Sequence, residues 1–288
     1  MDEHERTRVF QEQRPMLFGI AYRMLGTVAD AEDVVQDAWL RWDKVAGPVR
    51  EPRSYLARTV TNLAINRLRS SAVQREEYVG PWLPEPLLTE PDRTGEVELA
   101  ESVSMALLVV MESLSPLERA VFVLKEVFGF SYGEIGQVLD RAETAVRQVG
   151  RRARSHVEAR RPRFDASEES RRRVTEEFLS ACAGGDLTRV MEVLAPDVTA
   201  WTDGGGKVRA ALRPVRGAEK VARWLLGVIT REPVVLRGCP VEVNGGPGVL
   251  VTTSEGVDSV ACLDVVDGRV STIWLVRNPD KLKSIARS

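Results

Sequence analysis

Little in these 288 residues supports thiol, imidazole or membrane chemistry. The three cysteines, Cys182, Cys239 and Cys262, form no C-x-x-C pair, and the two histidines, His4 and His156, are far apart. That distribution argues against both a zinc site and a disulfide framework. There is no run of about 18 apolar residues, so neither a membrane span nor a membrane partner is expected. The opening MDEHERTRVF is charged throughout and does not read as a secretory leader. Net charge is scarce as well: Lys+Arg 40 against Asp+Glu 42 gives −2, which excludes a uniformly basic, histone-like protein. What remains is 43% hydrophobic and 28% charged, an ordinary globular balance whose length suggests about two domains. A soluble protein of the reducing cytoplasm is expected, with no metal, no cofactor and no catalytic set.

The small net charge hides segregation. Residues 76–112 hold nine acids (Glu76, Glu77, Glu85, Glu90, Asp92, Glu96, Glu98, Glu101, Glu112) against Arg93 alone, a net of −8. Residues 141–163 hold eight arginines and two glutamates, a net of +6. Such segments can mask each other or address different partners. Residues 10–75 are helical by period, with Leu17, Ile20, Ala21, Met24 and Leu25 recurring at helical spacing. Pro81, Pro84, Pro86 and Pro91 mark a linker, and residues 96–162 are helical again. Beyond about 170 the pattern mixes helices with Val/Thr-rich strands, and Asp267-Gly268 suits a type I′ hairpin turn.

Residues 115–158 carry the sharpest signal. Ser115-Pro116-Leu117-Glu118 and Ser131-Tyr132-Gly133-Glu134 are capping boxes, and Gly129 suits a left-handed helix end between them. A tight break at Asp140-Arg141-Ala142 then precedes a helix from Glu143 to about Arg160, with Val146, Val149, Ala153 and Val157 inward. Two helices joined by so short a turn are helix-turn-helix geometry. The second would present Glu143, Thr144, Arg147, Gln148, Arg151 and Arg152 outward. Arg, Gln and Glu match guanine, adenine and cytosine edges respectively. Arg154, Arg160, Arg161 and Arg163 suit phosphate neutralisation. A solvated Arg-rich helix is the bland alternative, but the caps in register favour DNA binding.

Two N-terminal helices add a second theme. Asp30, Glu32, Asp33 and Asp37 gather at one helix start, where acids suit the dipole. Asp33 and Asp37 are four apart and repel, which a basic partner surface would relieve. Trp39 and Trp42 share that helix, and at least one is expected in the core. The helix at 54–70 carries a polar stripe of Arg58, Asn62, Asn66 and Arg69. Asparagines form helices poorly, so a row of them suits recognition of bases and backbone. The loop before it supplies Arg50 and Arg53, with Tyr55 as a stacking aromatic.

In this order the motifs resemble a sigma factor of the extracytoplasmic-function (ECF) group of the sigma-70 family. GTVADAEDVVQDAWLRW resembles the family's core-binding segment, RSYLARTVTNLAINRLR its −10 segment, and residues 113–157 its −35 domain. Gly136, where the family commonly has Ala, and Thr144-Ala145, where it has Thr-Val, depart from the pattern. The resemblance implies two all-α sigma domains, at 1–75 and 113–163, joined by an acidic Pro-rich linker at 76–112. It implies that Asp33, Gln36, Asp37 and Trp39 face the clamp helices of RNA polymerase core. It implies that Arg53, Arg58, Asn62 and Asn66 handle the unwound −10 strand of promoter DNA. Glu143, Thr144, Arg147, Gln148, Arg151 and Arg152 would then enter the −35 major groove.

Residues 168–288 continue beyond a minimal member. Their element order resembles an α+β SnoaL-like, NTF2-like cone, able to take an unidentified small ligand. Members with this extension share a linker like PWLPEPL (81–87), a DGGGK loop (203–207) and an NPDKL tail (278–282), all present here. No histidine follows His156, which argues against histidine-dependent catalysis on this fold. Asp203 is the best acid there and is read as a turn former ahead of Gly204, Gly205 and Gly206. The extension is therefore read as regulatory. The linker, with Trp82, Leu83 and Pro84 as anchors, is expected to lie against the cone near DGGGK and near Asn278, Pro279, Asp280 and Lys281. Lys207 is expected to pair with a linker acid. Two other readings are a ligand-responsive helix-turn-helix regulator acting without polymerase, and an isomerase or hydrolase fused to a DNA-binding segment. The acidic-aromatic helices have no task in the former, and the missing histidines count against the latter.

Overall fold

The computed structural model describes residues 2–89, 104–160, 167–231 and 235–287, with backbone alone at 71–76, 168, 231 and 287. The expected linker acids Glu90, Asp92, Glu96, Glu98 and Glu101, with Pro91 and Arg93, lie outside the described residues, as do Arg161 and Arg163. The described chain forms two compact units. One takes in residues 2–76 and 107–160, and the other residues 77–89, 104–106 and those within 167–287. The first part of the expected linker thus belongs to the C-terminal unit, while residues 105–111 form a helix.

The first unit is all-α. Helices α1 (Glu3–Leu25), α2 (Val28–Asp43) and α3 (Pro52–Glu76) pack on one another. Asp2 accepts from the Glu5 amide at 2.7 Å to start α1, and Gly26 ends it at φ 78. Leu17, Ile20, Ala21, Met24 and Leu25 are buried as their spacing implies. Trp42 is fully buried and donates from Nε1 to the Arg6 carbonyl at 3.0 Å, while Trp39 stays half-buried with its ring 5.0 Å from Phe10.

Then come α4 (Met105–Met111), α5 (Pro116–Phe122) with a π-helical turn over Val123–Val127, α6 (Tyr132–Leu139) and α7 (Glu143–Arg160). Both capping boxes form: Glu118 N–H donates to Ser115 Oγ at 3.3 Å, and Glu134 N–H to Ser131 Oγ at 3.2 Å. Asp140 turns left-handed (φ 53) between α6 and α7. The bundle and the helix-turn-helix share a buried seam. Arg119, 2% exposed, donates from Nε to the Arg23 carbonyl at 2.8 Å and from Nη1 to Glu112 at 2.5 Å. Arg23 in turn lies over the Phe128 ring at 5.4 Å.

The second unit is an α+β cone, helices and sheet in the expected mixture. Helices α8 (Glu168–Gly184), α9 (Leu187–Val193) and α10 (Ala218–Arg231) pack on one six-stranded sheet, ordered β2-β1-β6-β5-β4-β3. Its strands are β1 (Leu194–Asp203), β2 (Val215–Arg216), β3 (Arg237–Val243), β4 (Gly246–Thr253), β5 (Gly256–Val266) and β6 (Arg269–Val276). Strands β1 and β6 run parallel, with Asp203 opposite Val276, and the other described pairs are antiparallel. Val174, Phe178, Val190, Val221, Val249 and Ile273 belong to the core between helices and sheet. Asp267 (φ 50) and Gly268 (φ 71) make the expected hairpin turn, and Asn244 (φ 52) with Gly245 (φ 66) makes another of the same kind.

Gly136 departs from the sigma pattern for a reason of space. A Cβ there would stand 2.7 Å from the Arg141 carbonyl oxygen. Alanine would gain about 1 kcal/mol of helix propensity, but overlap with backbone costs roughly 1–3 kcal/mol. Gly136→Ala is therefore expected to lower the denaturation midpoint of the full chain. A raised midpoint would mean that the turn shifts freely.

Candidate nucleic-acid interface and linker clasp

Helix α7 separates its two faces cleanly. Val146, Val149, Gly150, Ala153 and Val157 are buried, and Glu143, Thr144, Arg147, Gln148, Arg151 and Arg152 are all exposed. Spacings of four place Glu143, Arg147 and Arg151 in one row and Thr144, Gln148 and Arg152 in the next. Arg147 donates to Glu143 at 2.5 Å and lies over the Tyr132 ring at 5.2 Å, so it is pre-positioned while remaining accessible. Two arginines expected on phosphates are engaged internally: Arg154 with Glu126 at 2.6 Å, and Arg160 with Ser113 at 2.8 Å.

On α2, Asp33, Gln36 and Asp37 are exposed beside half-buried Trp39, and Leu40 is 50% exposed. The acidic cluster is partly balanced from a neighbouring helix. Arg67 of α3 donates to Asp30 at 2.6 Å and to Asp33 at 3.2 Å, a pairing that local sequence does not disclose. Asp37 has no ion pair among the described residues. On α3, Arg58, Asn66 and Arg69 are exposed and Asn62 is half-buried, in one stripe. Arg53 stands apart from that stripe: it donates to the Phe128 carbonyl at 3.3 Å and stacks over the Phe130 ring at 4.5 Å. Tyr55 is half-buried against Trp42, ring centroids 5.6 Å apart.

In the second unit, residues 78–89 are bound to the cone. Asp203, fully buried, is the hub. Its Oδ1 accepts from the Tyr78 hydroxyl at 2.5 Å and the Gly205 amide at 3.0 Å. Its Oδ2 accepts from the Leu83 amide at 2.9 Å and Lys281 Nζ at 2.7 Å. Lys281 also donates to the Leu83 carbonyl at 2.5 Å and lies over the Trp82 ring at 4.0 Å. Asn278 Nδ2 donates to the Tyr78 hydroxyl at 2.8 Å. Burial, with the Asp203 carboxylate next, pushes the Tyr78 phenol well above its usual range. Leu83 is 1% exposed, Pro84 is buried and Trp82 half-buried, so these anchors are covered. The glycine loop allows the approach: a Cβ at Gly205 (φ 59) would stand 2.3 Å from Asn278 Nδ2.

Two expectations are corrected. Asp203 does turn the chain through Gly205, but it is chiefly a buried ion-pair partner. Among the described residues Lys207 pairs with Asp280 of the tail, not with a linker acid. Pro279 and Asp280 form the short turn that presents Lys281. Several partners went unread in the sequence. Asn244 exchanges bonds with Leu87, donating from its amide at 2.9 Å and accepting at its side chain at 3.2 Å. Leu88 bridges Val243 in antiparallel fashion, and Thr89 donates to Glu242 at 2.8 Å. The dipeptide Asn244-Gly245 was the available signal, because it marks a tight turn that an extended strip can flank.

The cone holds one further perturbed acid. Asp264 on β5 alternates with core residues Leu263 and Val265, and so faces the opposite side of the sheet. It accepts from Trp274 Nε1 at 2.8 Å, while burial pushes its carboxyl up to about 7. It lines neither cone cavity. No cluster of three metal-ligating side chains occurs among the described residues.

Comparison with known proteins follows this division. Residues 9–73 match the family model for Sigma-70 region 2, and residues 104–157 that for Sigma-70, region 4. The chain is 40% identical over 285 residues to the ECF RNA polymerase sigma factor SigJ of Mycobacterium tuberculosis, covering 94% of this chain and 91% of that one. Similarity to SigM of the same species is 30% over 160 residues, or 54% of this chain and 76% of that one. The crystal structure of the M. tuberculosis SigJ superposes with a TM-score of 0.78 at 36% identity, over 95% of this chain and 96% of that one.

Lys281→Met would leave the Asp203 charge buried without its cation, at a cost of roughly 3–5 kcal/mol. Amide exchange over 78–89 should rise markedly while α7 exchanges as before; unchanged protection of the strip would refute the clasp. Asp264 binds a proton more tightly folded than unfolded, so its contribution is complete below about pH 4 and is lost as pH rises towards 7. Asp264→Asn should flatten the fall in stability between pH 4 and 8 by on the order of 2–4 kcal/mol, checked by denaturation at each pH.

Proposed function

This chain belongs to the ECF sigma factors, and we propose that it binds RNA polymerase core and directs initiation at promoters with −10 and −35 elements. The family acts without catalysis of its own. The observation carrying the DNA assignment is the two exposed rows on α7 backed by a wholly buried apolar face. A helix of that form fits the major groove, with Arg151 suited to guanine and Gln148 to adenine. Thr144 and Glu143 sit at its entering end, and Arg152 favours phosphate. Asp33, Gln36, Asp37 and Trp39 meet the clamp helices, and Arg58, Asn62, Asn66 and Arg53 handle the −10 strand. The work is done in the cytoplasm, where polymerase and promoter are.

The closed first unit must open to do this. Elements 25 positions apart are separated by roughly 85 Å of duplex at about 3.4 Å per step. Arg53, proposed for the −10 strand, instead stacks on Phe130 next to the helix-turn-helix. We read the second unit as a regulator acting in cis. The Asp203–Lys281 clasp holds the first residues of the segment that joins the two DNA-reading regions, so tension or release there changes how freely they separate. The cone is also read as a receiver for a small ligand.

Run-off transcription with purified core enzyme tests the assignment. Arg151→Ala should reduce output from a cognate promoter roughly 5- to 150-fold, equivalent to about 1–3 kcal/mol, and relax preference at one −35 position. Asp37→Lys should abolish binding to core while leaving duplex affinity intact. Failure of the wild-type chain to bind core would defeat the reading.

A further inference from the structure

Two adjoining cavities in the cone differ in character. The inner one, about 340 Å³, is walled mainly by apolar side chains including Phe178, Leu225, Val249 and Ile273, with Asp258 on its wall paired to Arg277. The outer one, about 580 Å³, is lined by three arginines, Arg209, Arg223 and Arg277, and by no carboxylate. Both share Trp224, Val228, Leu275 and Arg277. The inner volume suits a small organic molecule. An apolar chamber favours an apolar body, and clustered guanidinium groups at its mouth favour an acidic head. Arg223 pairs with Glu219 at 2.7 Å and Arg277 with Asp258, whereas Arg209 has no ion pair among the described residues, so an acid group would meet Arg209 directly and add to the two guanidinium groups already paired.

Arg277 is positioned to report occupancy. Its Nη2 pairs with Asp258 at 2.7 Å, and its Nη1 donates to the Arg209 carbonyl at 3.0 Å. Its own amide donates to the Asp203 carbonyl at 2.7 Å, and the next residue, Asn278, holds Tyr78 of the linker strip. On the neighbouring strand Thr202, which lines the outer cavity, donates to the Ala211 carbonyl at 2.9 Å and directly precedes Asp203. An anion that draws Arg277 or Arg209 therefore pulls on both backbone segments that build the clasp.

Resting on the reading of the second unit as a cis regulator, we propose that the cone binds an amphipathic organic anion. Its apolar body occupies the inner chamber, its acid group sits on Arg209, Arg223 and Arg277, and its binding alters the hold of the cone on residues 78–89. This assigns the ligand class and the route by which it acts.

The test compares anilinonaphthalene sulfonate with phenylnaphthylamine, which has the same apolar body and no charge, on the full-length chain. The sulfonate should bind saturably at one site, roughly tenfold or more tighter than the neutral probe. Arg209→Ser with Arg223→Ser, both at exposed side chains outside the clasp, should weaken the sulfonate roughly tenfold and leave the neutral probe unchanged. Val228→Trp, at the wall common to both cavities, should block both probes. At saturation, amide exchange over 78–89 should change. Equal affinity for the two probes, or sulfonate binding indifferent to both variants, overturns the site. Unchanged exchange at saturation overturns the coupling. Neither result touches cis regulation itself, which is read separately from run-off transcription with Lys281→Met.

Discussion

A charge removed from water must find a partner, because desolvation of an isolated ion costs several kcal/mol. Both units are organised around that constraint. In the second, the buried carboxylate of Asp203 is met by Lys281 and by three neutral donors, from Tyr78, Leu83 and Gly205. Those donors come from segments more than a hundred residues apart, so satisfying one charge fixes the linker strip, the glycine loop and the tail together. In the first unit, Arg119 does the same for α1, α4 and α5 through the Arg23 carbonyl and Glu112. Glu112 lies just beyond the end of α4 and gains its role only through this seam.

The residues proposed to address other molecules obey the opposite rule. Those of α7 remain in water, with Arg147 held by Glu143 at the surface, where such pairs are weak and easily exchanged for phosphate or base. The acidic face of α2 is divided between these regimes. Asp30 and Asp33 are tied to Arg67, whereas Asp37 has no ion pair among the described residues. On the proposed reading, the buried charges act as latches and the exposed charges as reading heads. The cone adds a place where a ligand could shift the balance, since Arg277 belongs to a cavity and to the strand end beside Asp203 at once.

The sequence itself determined the all-α and α+β division, the two capping boxes, the inward rows of α1 and α7 and the Asp267-Gly268 turn. Each depends on residues within one or two turns of one another, where periodicity and capping chemistry act. The resemblance to family members with this extension also implied that PWLPEPL, DGGGK and NPDKL form a related set. What the sequence did not disclose were partners: Arg67 for Asp30, Asp280 for Lys207, Asn244 for Leu87, the high carboxyl of Asp264 against Trp274, and the seat of Arg53 on Phe130. Only tertiary structure decides these, because a contact between residues 10 to 157 positions apart depends on which chain segments exclude water together. No local pattern encodes that.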